Sequence, residues 1–210
     1  MFRQGEYRVA LAAYDYALKI DPEFLKAHAN RGRVLVELGK VNEGIVELTK
    51  ATQANPFDFL SWVLLCRATG AQAVQTGDQK LAESALSMIH QLLLKFPRWS
   101  QLKIEEGVLE AVLHRDDEAM QSWDQALELG AQKTNVFVER ARFHAQRGQL
   151  NDAMTELTKA IEHDPEISSL YVQRANVYSL LNDKTAMTRD LSMARSLKTP
   201  VPSILLPIAD

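Results

Sequence analysis

The sequence predicts an all-α protein built of stacked helix–turn–helix hairpins, with about eleven helices. Two stretches, "GKVNEGIVELTKATQANP" at 39–56 and "GQLNDAMTELTKAIEHDP" at 148–165, are identical at eight of eighteen positions, including the run "ELTKA". They lie 109 residues apart, which is three periods of 34 residues plus seven. A fixed period in this range indicates one small structural unit repeated along the chain, with each unit burying its apolar face against its neighbours.

Residues at equivalent positions of successive units form columns. Three such columns, whose side chains are small, large and small in turn, predict one helix of each unit. Spacings of four and then three residues place the columns on one helix face, suited to nesting against another helix. The columns read Ala10, Gly44, Ala85, Ala119, Ala153, Met187; Tyr14, Leu48, Ile89, Trp123, Leu157, Leu191; and Ala17, Ala51, Leu92, Ala126, Ala160, Ala194. Four of the six helices end at a proline, which cannot continue a helix: Pro22, Pro56, Pro97 and Pro165.

A preceding helix in each unit is predicted by two further columns. A small column contains Gly32, Cys66, Gly107, Ala141 and Ala175. Four residues earlier stands a mostly large and aromatic column: His28, Trp62, Lys103, Phe137 and Tyr171. Turn residues such as Gly39 and Gly148 separate this first helix from the second one. Each unit is therefore expected to be a first helix, a turn, a second helix and a turn.

These columns divide the chain into units. We expect a half repeat at about 1–24 with only its second helix, then units at 25–58, 59–99, 100–133, 134–167 and 168–199, and an apolar, proline-rich tail at 200–210. The seven residues in excess of the 34-residue period lie between Cys66 and Ala85. Seven residues make about two helical turns, so an insertion shared by both helices would extend the third hairpin by roughly 5 Å.

The two ends depart from this regular pattern. The half repeat lacks the first helix that would cover Ala10, Tyr14 and Ala17, so we expect its face to be covered by upstream residues or by self-association with a second copy. The tail "TPVPSILLPIAD" combines three prolines with the apolar run Ile204, Leu205, Leu206 and Ile208. We expect it to lie extended along an exposed helix face, that of the last hairpin in its own chain.

Together the columns resemble the tetratricopeptide repeat (TPR) family over residues 1 to about 199, with departures at Lys103, Ala131 and Met187. The resemblance implies a right-handed solenoid whose first helices line a concave groove. It also implies a non-catalytic protein-interaction scaffold or adaptor that binds a peptide segment of a partner. The alternative is an accessory or regulatory domain of a larger multidomain protein or complex.

The family's groove positions fall on two stripes of this chain, which the resemblance makes candidate peptide contacts. The apolar stripe is Ala29, Val63, Ile104, Val138 and Val172, and the second stripe is Arg33, Arg67, Val108, Arg142 and Asn176. Lys26 and Asn30 complete the set, and Asn30 matches a position with which some family members clamp the C-terminal carboxylate of heat-shock chaperones. Arginines beside valines suit an acidic or C-terminal segment. The alternative is that the arginines pair locally, as Arg33 with Glu37, and that the valines only pack between hairpins.

Composition argues against other classes of function. The formal charge is −3 and basic runs are absent, which argues against nucleic acid as a partner. The sequence contains no run of about eighteen apolar residues, so no membrane-spanning helix is predicted. Phosphate-loop, dinucleotide and zinc motifs are absent, so we expect no enzyme activity, no cofactor and no metal. The only cysteine, Cys66, agrees with a reducing compartment, and we expect a cytoplasmic location.

Overall fold

The computed structural model describes residues 4–197, and this part of the chain consists of helices joined by short turns. Eleven helices lie within it: α1 (Gln4–Ile20), α2 (Leu25–Glu37), α3 (Val41–Ala54), α4 (Phe59–Thr76), α5 (Gln79–Lys95), α6 (Ser100–Val112), α7 (Asp116–Glu128), α8 (Lys133–Gln146), α9 (Leu150–His163), α10 (Ser168–Leu180) and α11 (Lys184–Ser196). This confirms the predicted all-α class. The even-numbered helices carry the first-helix columns, and the odd-numbered helices carry the second-helix columns.

Two compact units contain these helices. Of the described residues, the first unit holds those up to Arg98 together with Leu109–Ala119. The second unit holds Trp99–Val108 and the residues from Met120 onward. Hairpins α2–α3 and α4–α5 belong to the first unit, and hairpins α8–α9 and α10–α11 belong to the second.

The small–large–small columns form the core of the hairpins. In α3, α5, α7 and α9 all three positions are buried, as are all five members of the small first-helix column, from Gly32 to Ala175. In α1 the equivalent residues Ala10, Tyr14 and Ala17 are only half-buried. The face that a first helix covers in the other hairpins is therefore partly open on α1.

Small residues in the first helices let the second helices approach closely. A Cβ atom added to Gly32 would lie 2.7 Å from Cγ of Leu48, and one added to Gly107 would lie 2.6 Å from Nε1 of Trp123. Both distances are far below van der Waals contact, so a side chain at either glycine would force the helices apart. The indole of Trp123 packs against Gly107. It is 1% exposed and donates a hydrogen bond of 3.1 Å to the backbone carbonyl of Ile104.

A repeated hydrogen bond fixes the large first-helix column to the preceding turn. The donors stand six residues after the proline whose carbonyl oxygen accepts the bond. The pairs are His28 Nε2 to Pro22 O at 2.8 Å, Trp62 Nε1 to Pro56 O at 3.1 Å and Tyr171 Oη to Pro165 O at 3.0 Å. Aromatic residues with a polar tip suit this position because the ring packs while the N–H or O–H is satisfied.

The same bond cannot form in α8, where Phe137 has no polar hydrogen and Ala131 replaces the proline. In α6 the column residue is Lys103, whose ammonium instead pairs with Glu106 at 2.6 Å. The departures seen in the sequence at Lys103 and Ala131 thus coincide with a local change in hydrogen bonding.

The hairpin α4–α5 is longer than the other hairpins. Its helices contain 18 and 17 residues, whereas α2, α3 and α6–α11 contain 13 or 14 each. Gly77 ends α4 in the left-handed conformation, with φ of 66°. Asp78 then caps α5 by accepting hydrogen bonds from the backbone N–H groups of Lys80 and Leu81.

The turns inside the other hairpins use one left-handed residue at equivalent positions. Gly39 and Gly148 occupy this conformation, with φ of 79° and 74°. His114 and Asn182 adopt it as well, with φ of 58° and 59°, although they carry a Cβ. The sequence therefore preserves the turn geometry even where glycine is replaced. The predicted docking of the tail at 200–210 falls outside the described residues.

Truncating Trp123 is expected to destabilise the protein strongly, because the change removes a buried ring and its hydrogen bond. Trp123→Ala should lower the free energy of unfolding by about 3–5 kcal/mol, as measured by urea denaturation. Phe57→Ala is the matched control, since the ring of Phe57 is 89% exposed. Equal stability of the two variants would contradict the burial of Trp123.

Candidate functional site

In the first unit, the predicted contacts on α2 follow one face of the helix. Lys26, Asn30 and Arg33 stand four and three residues apart, so their side chains project in neighbouring directions. Lys26 and Arg33 are exposed, and Asn30 is half-buried. Within residues 4–197 none of the three side chains makes a hydrogen bond or an ion pair, and Arg33 does not pair with Glu37. Their polar groups are therefore available to a ligand.

On α4 the two predicted residues differ in exposure. Arg67 is exposed, whereas Val63 is only 8% exposed, and Ala29 on α2 is equally buried. Arg67 occupies on α4 the position that Arg33 occupies on α2 in the repeat, and α2 contacts α4 directly. We call Lys26, Asn30, Arg33 and Arg67 the basic face of the first unit.

In the second unit the predicted apolar residues contribute mainly to the core. Ile104 on α6 is 4% exposed. Val138 on α8 and Val172 on α10 are half-buried and pack against the cluster that contains Leu170 and Tyr171. Asn176 on α10 is half-buried and makes no hydrogen bond within the described part of the chain.

Arg142, the predicted cationic contact of the second unit, pairs within its own helix. Its guanidinium donates hydrogen bonds of 2.9 and 3.3 Å to the two carboxylate oxygens of Glu139, three residues earlier. Local pairing of the arginines, the alternative to ligand binding, is therefore found at Arg142 and is absent at Arg33. The sequence spacing alone did not distinguish the two arginines.

Burial raises the pKa of the Glu139 carboxyl. The positive charge of Arg142 acts in the opposite direction, and the negative charge of Glu105 on α6 raises the pKa further. The net shift is upward, so the folded protein disfavours ionised Glu139 despite the adjacent arginine. The second unit thus presents a mixed face of Glu105, Glu139 and Arg142 instead of the basic face of the first unit.

A further column of charged residues, which the sequence reasoning missed, joins first helices to second helices. Its arginines pair with carboxylates sixteen residues away on a neighbouring helix: Arg31 with Asp15 at 2.7 Å, Arg140 with Asp124, and Arg174 with Asp190 through two bonds of 2.7 and 2.9 Å. We call these three pairs the ion-pair column. Its signal was present in the sequence, because the arginines stand at equivalent positions of the 34-residue repeat.

Glu47 adds a buried charge next to this column. Burial acts to raise the pKa of its carboxyl, but hydrogen bonds from His28 and Lys50 and the charge of Arg31 outweigh burial and hold the pKa below its ordinary value. His28 Nδ1 lies 2.6 Å from the Glu47 carboxylate, while its Nε2 lies 2.8 Å from the carbonyl of Pro22. His28 therefore links α3 to the turn that precedes α2.

Within residues 4–197 no three histidine, cysteine or acidic side chains are grouped so that they could bind a metal ion. In the same residues no helix combines the length and the hydropathy needed to cross a membrane.

Comparison with known proteins identifies the class of this fold. The family model described as "Tetratricopeptide repeat" matches residues 1–66. A thermophilic TPR protein from Thermus thermophilus superposes with a TM-score of 0.70 at 27% identity, over 83% of this chain and 92% of that one. A tetratricopeptide repeat protein from Parabacteroides merdae superposes with a TM-score of 0.67 at 18% identity, over 93% and 75% of the two chains.

Among curated proteins, the chain is 20% identical to the Hsp70-Hsp90 organizing protein of Triticum aestivum, over 87% of this chain. The chain spans only 36% of the length of that relative. With the helical hairpins and the structural matches, these findings show that the chain is a tetratricopeptide repeat protein. Proteins of this family are generally non-catalytic interaction modules.

Replacing Glu139 with glutamine is expected to change how stability depends on pH. Because the pKa of Glu139 is raised in the folded state, its ionisation destabilises the fold as the pH rises above the ordinary value of 4.5. The parent protein should lose stability over this range, while Glu139→Gln should not.

Urea denaturation at a series of pH values would test this expectation. The stability of Glu139→Gln relative to the parent should increase with pH and level off once Glu139 is ionised. Gln146→Asn, on the same helix, alters no titratable group and serves as the control. A difference between Glu139→Gln and the parent that is constant with pH would contradict the raised pKa.

Proposed function

We propose that this protein is a non-catalytic scaffold that binds an acidic peptide segment of a partner protein on the first-helix surface. The basic face of the first unit supplies the polar contacts. Lys26 and Arg33 provide cations to carboxylates, and Asn30 provides an amide that donates to and accepts from a peptide backbone. An extended peptide crossing α2 and α4 would meet Arg33 and then Arg67.

The observation that carries this proposal is the contrast between two groups of basic residues. Arg31, Arg140 and Arg174 are used inside the fold, where each pairs with a carboxylate of a neighbouring helix. Lys26 and Arg33 have no such partner within residues 4–197 and project into solvent from one face. Their charges are not used in the fold and are therefore available to an anionic ligand.

The second unit supports a different contact. Arg142 already donates hydrogen bonds to Glu139, and Glu105 adds negative charge nearby. A carboxylate bound there would have to displace Glu139, so we assign binding of the acidic segment to the first unit. Half-buried Val138, Val172 and Asn176 would offer apolar surface and one amide to a separate, neutral or basic segment within their own unit.

The alternative function is that of an accessory or regulatory domain within a larger protein or complex. Its support is that the chain spans only 36% of the length of the curated relative from Triticum aestivum. The basic face would then recruit a client for an activity that resides elsewhere. A cytoplasmic location is part of either proposal, with the buried Cys66 thiol, which is not in a disulfide, as its support.

Self-association through α1 is a second proposal that the structure supports. Val9, Tyr16 and Ile20 lie on one stripe of α1 and are 72%, 68% and 69% exposed. Beside this stripe lie the half-buried Ala10, Tyr14 and Ala17. Two copies could bury these residues by pairing α1 with α1 around a two-fold axis, since such an interface uses the same surface on both subunits.

Charge reversal on the basic face should abolish binding of acidic peptides. The probes are two fluorescein-labelled peptides rich in aspartate and glutamate, identical except that one has a free C-terminal carboxylate and the other is amidated. Lys26→Glu/Arg33→Glu should weaken binding of both peptides about tenfold or more in fluorescence anisotropy. Raising the salt concentration should also weaken binding of both peptides to the parent protein, because salt screens the attraction between charges.

The matched control is Arg8→Glu/Lys80→Glu, which reverses two exposed cations outside the basic face. Circular dichroism should show unchanged helicity in both double variants. Equal affinity of the two double variants would refute the assignment of the basic face. If Lys26→Glu/Arg33→Glu lost affinity only for the peptide with the free carboxylate, the site would be assigned to a C-terminal segment.

Disrupting the α1 stripe should keep the protein monomeric. Parent protein is expected to show a mass that increases with concentration in sedimentation equilibrium, whereas Val9→Glu/Tyr16→Glu should stay at the monomer mass. Val46→Glu is the control, because Val46 is also apolar and 54% exposed but lies on α3. A parent protein that is monomeric at all concentrations would exclude pairing through α1.

A further inference from the structure

The first unit contains an apolar cavity that shares no residue with the basic face. It lies between the turn that joins α3 to α4, the first turns of α4 and the C-terminal half of α5. Its volume is about 180 Å³, and its wall includes Phe57, Phe59, Trp62, Leu92 and Phe96. Every residue that lines it belongs to the first unit. We call it the α4–α5 cavity.

Aromatic rings form most of the wall of the α4–α5 cavity. The rings of Phe59 and Phe96 lie 4.4 Å apart, inclined by 58°. The N–H of Trp62 is satisfied by the carbonyl of Pro56, which leaves the indole ring as an apolar surface. Phe57 and Phe96 are 89% and 43% exposed. Because exposed ring surface is unfavourable in water, a concave aromatic surface of this kind is typical of a binding site.

The polar groups at the edge of the cavity are neutral or basic. Gln91 and Lys95 line it from one face of α5, since they stand four residues apart, and Arg98 follows three residues after Lys95. All three side chains are exposed, and none makes a hydrogen bond or an ion pair within residues 4–197. No carboxylate of the described chain lines the cavity, and that of Asp58, just before α4, accepts a hydrogen bond of 2.6 Å from the hydroxyl of Ser61. The edge of the cavity is therefore positively charged.

The size of the cavity and these polar groups restrict the ligand. A cavity of about 150 Å³ with apolar walls accommodates benzene, so the present one has room for the ring of one phenylalanine. Tilted contacts between that ring and the rings of the wall are favourable. Lys95 attracts a carboxylate, and the amide of Gln91 can donate a hydrogen bond to a peptide backbone and accept one from it. A small apolar molecule would leave both groups unused, which favours a peptide as the ligand.

We propose that the α4–α5 cavity binds one phenylalanine of a partner protein, in a segment where an aspartate or glutamate directly follows that phenylalanine. The ring enters the cavity, the carboxylate pairs with Lys95, and Gln91 forms hydrogen bonds with the main chain of the segment. This site is additional to the acidic-peptide site proposed on the basic face. It requires an aromatic residue that the basic face does not, so either proposal can fail without the other.

Nuclear magnetic resonance on the full chain tests this proposal through the indole N–H signals of its three tryptophans. The signals of Trp62 and Trp99 are identified by their loss in Trp62→Phe and Trp99→Phe, and the remaining signal is that of Trp123. Trp62 reports on the cavity, whereas the buried Trp123 reports on the core. The probes are three capped dipeptides: phenylalanine–aspartate, phenylalanine–lysine and alanine–aspartate.

The phenylalanine–aspartate dipeptide should shift the Trp62 signal with a saturable dependence on its concentration and leave the Trp123 signal unchanged. The affinity for the phenylalanine–lysine dipeptide should be lower by about threefold or more, because Lys95 attracts the aspartate and repels the lysine. The alanine–aspartate dipeptide should give no saturable shift, because it has no ring to fill the cavity.

Matched variants make the result specific. Phe57→Ala removes one exposed wall without entering the core, so it should lower the affinity for the phenylalanine–aspartate dipeptide by about threefold or more. Lys95→Glu should reverse the preference between the two phenylalanine dipeptides, whereas Lys80→Glu, exposed on the same helix but outside the cavity, should retain it. Lys26→Glu/Arg33→Glu should retain it as well, which separates a failure of this site from a failure of the basic face. Circular dichroism should show unchanged helicity in all of these variants.

Four results would each overturn the proposal. The first is a Trp62 signal that shows no saturable shift up to about 10 mM of the phenylalanine–aspartate dipeptide. The second is equal affinity for the two phenylalanine dipeptides, or a preference that Lys95→Glu leaves unchanged, since Lys95 would then not select the ligand. The third is an equal response to the alanine–aspartate dipeptide, which would show that the ring does not enter. The fourth is a Trp62 signal that shifts with protein concentration alone, which would show that a second copy of the chain occupies the cavity.

Discussion

Close approach of a first helix to a second helix is the constraint on which this fold depends. Gly32 against Leu48 and Gly107 against Trp123 leave no room for even one additional carbon atom. Where a small residue permits that approach, the large residue opposite becomes fully buried and the hairpin gains a core. On α1, which no first helix precedes within residues 4–197, the same three positions are only half-buried, although their residue types follow the same pattern.

The sequence predicted these parts of the structure because steric packing repeats with the period of the chain. A small residue at every thirty-fourth position has few explanations other than helix contact. The alternation of first and second helices and the burial of Trp123 followed from the columns alone. These features depend on which residues share a helix face, and that information is contained in the spacing.

Side-chain pairing was much less predictable, because it depends on rotamers and on which helices become neighbours. Arg33 and Arg142 occupy equivalent positions, and each has an acidic residue three or four positions away in its helix, yet only Arg142 pairs with it, at Glu139. The arginines of the ion-pair column recur in the repeat, but spacing within one helix does not reveal their partners, which lie sixteen residues away on different helices. The net charge of −3 likewise conceals the basic face, because most carboxylates lie elsewhere. The proposed binding therefore depends on side-chain contacts that differ between equivalent positions of the repeat.

The left-handed turn residues have a consequence for how the molecule opens. Gly39 and Gly148 adopt that conformation without steric cost, whereas His114 and Asn182 carry a Cβ that disfavours it. These two turns are therefore held in place by their flanking helices more than by their own preference. In an array where each hairpin contacts mainly its neighbours, local opening starts where the local conformation is least favoured. We therefore expect the turns at His114 and Asn182 to open locally more readily than those at Gly39 and Gly148.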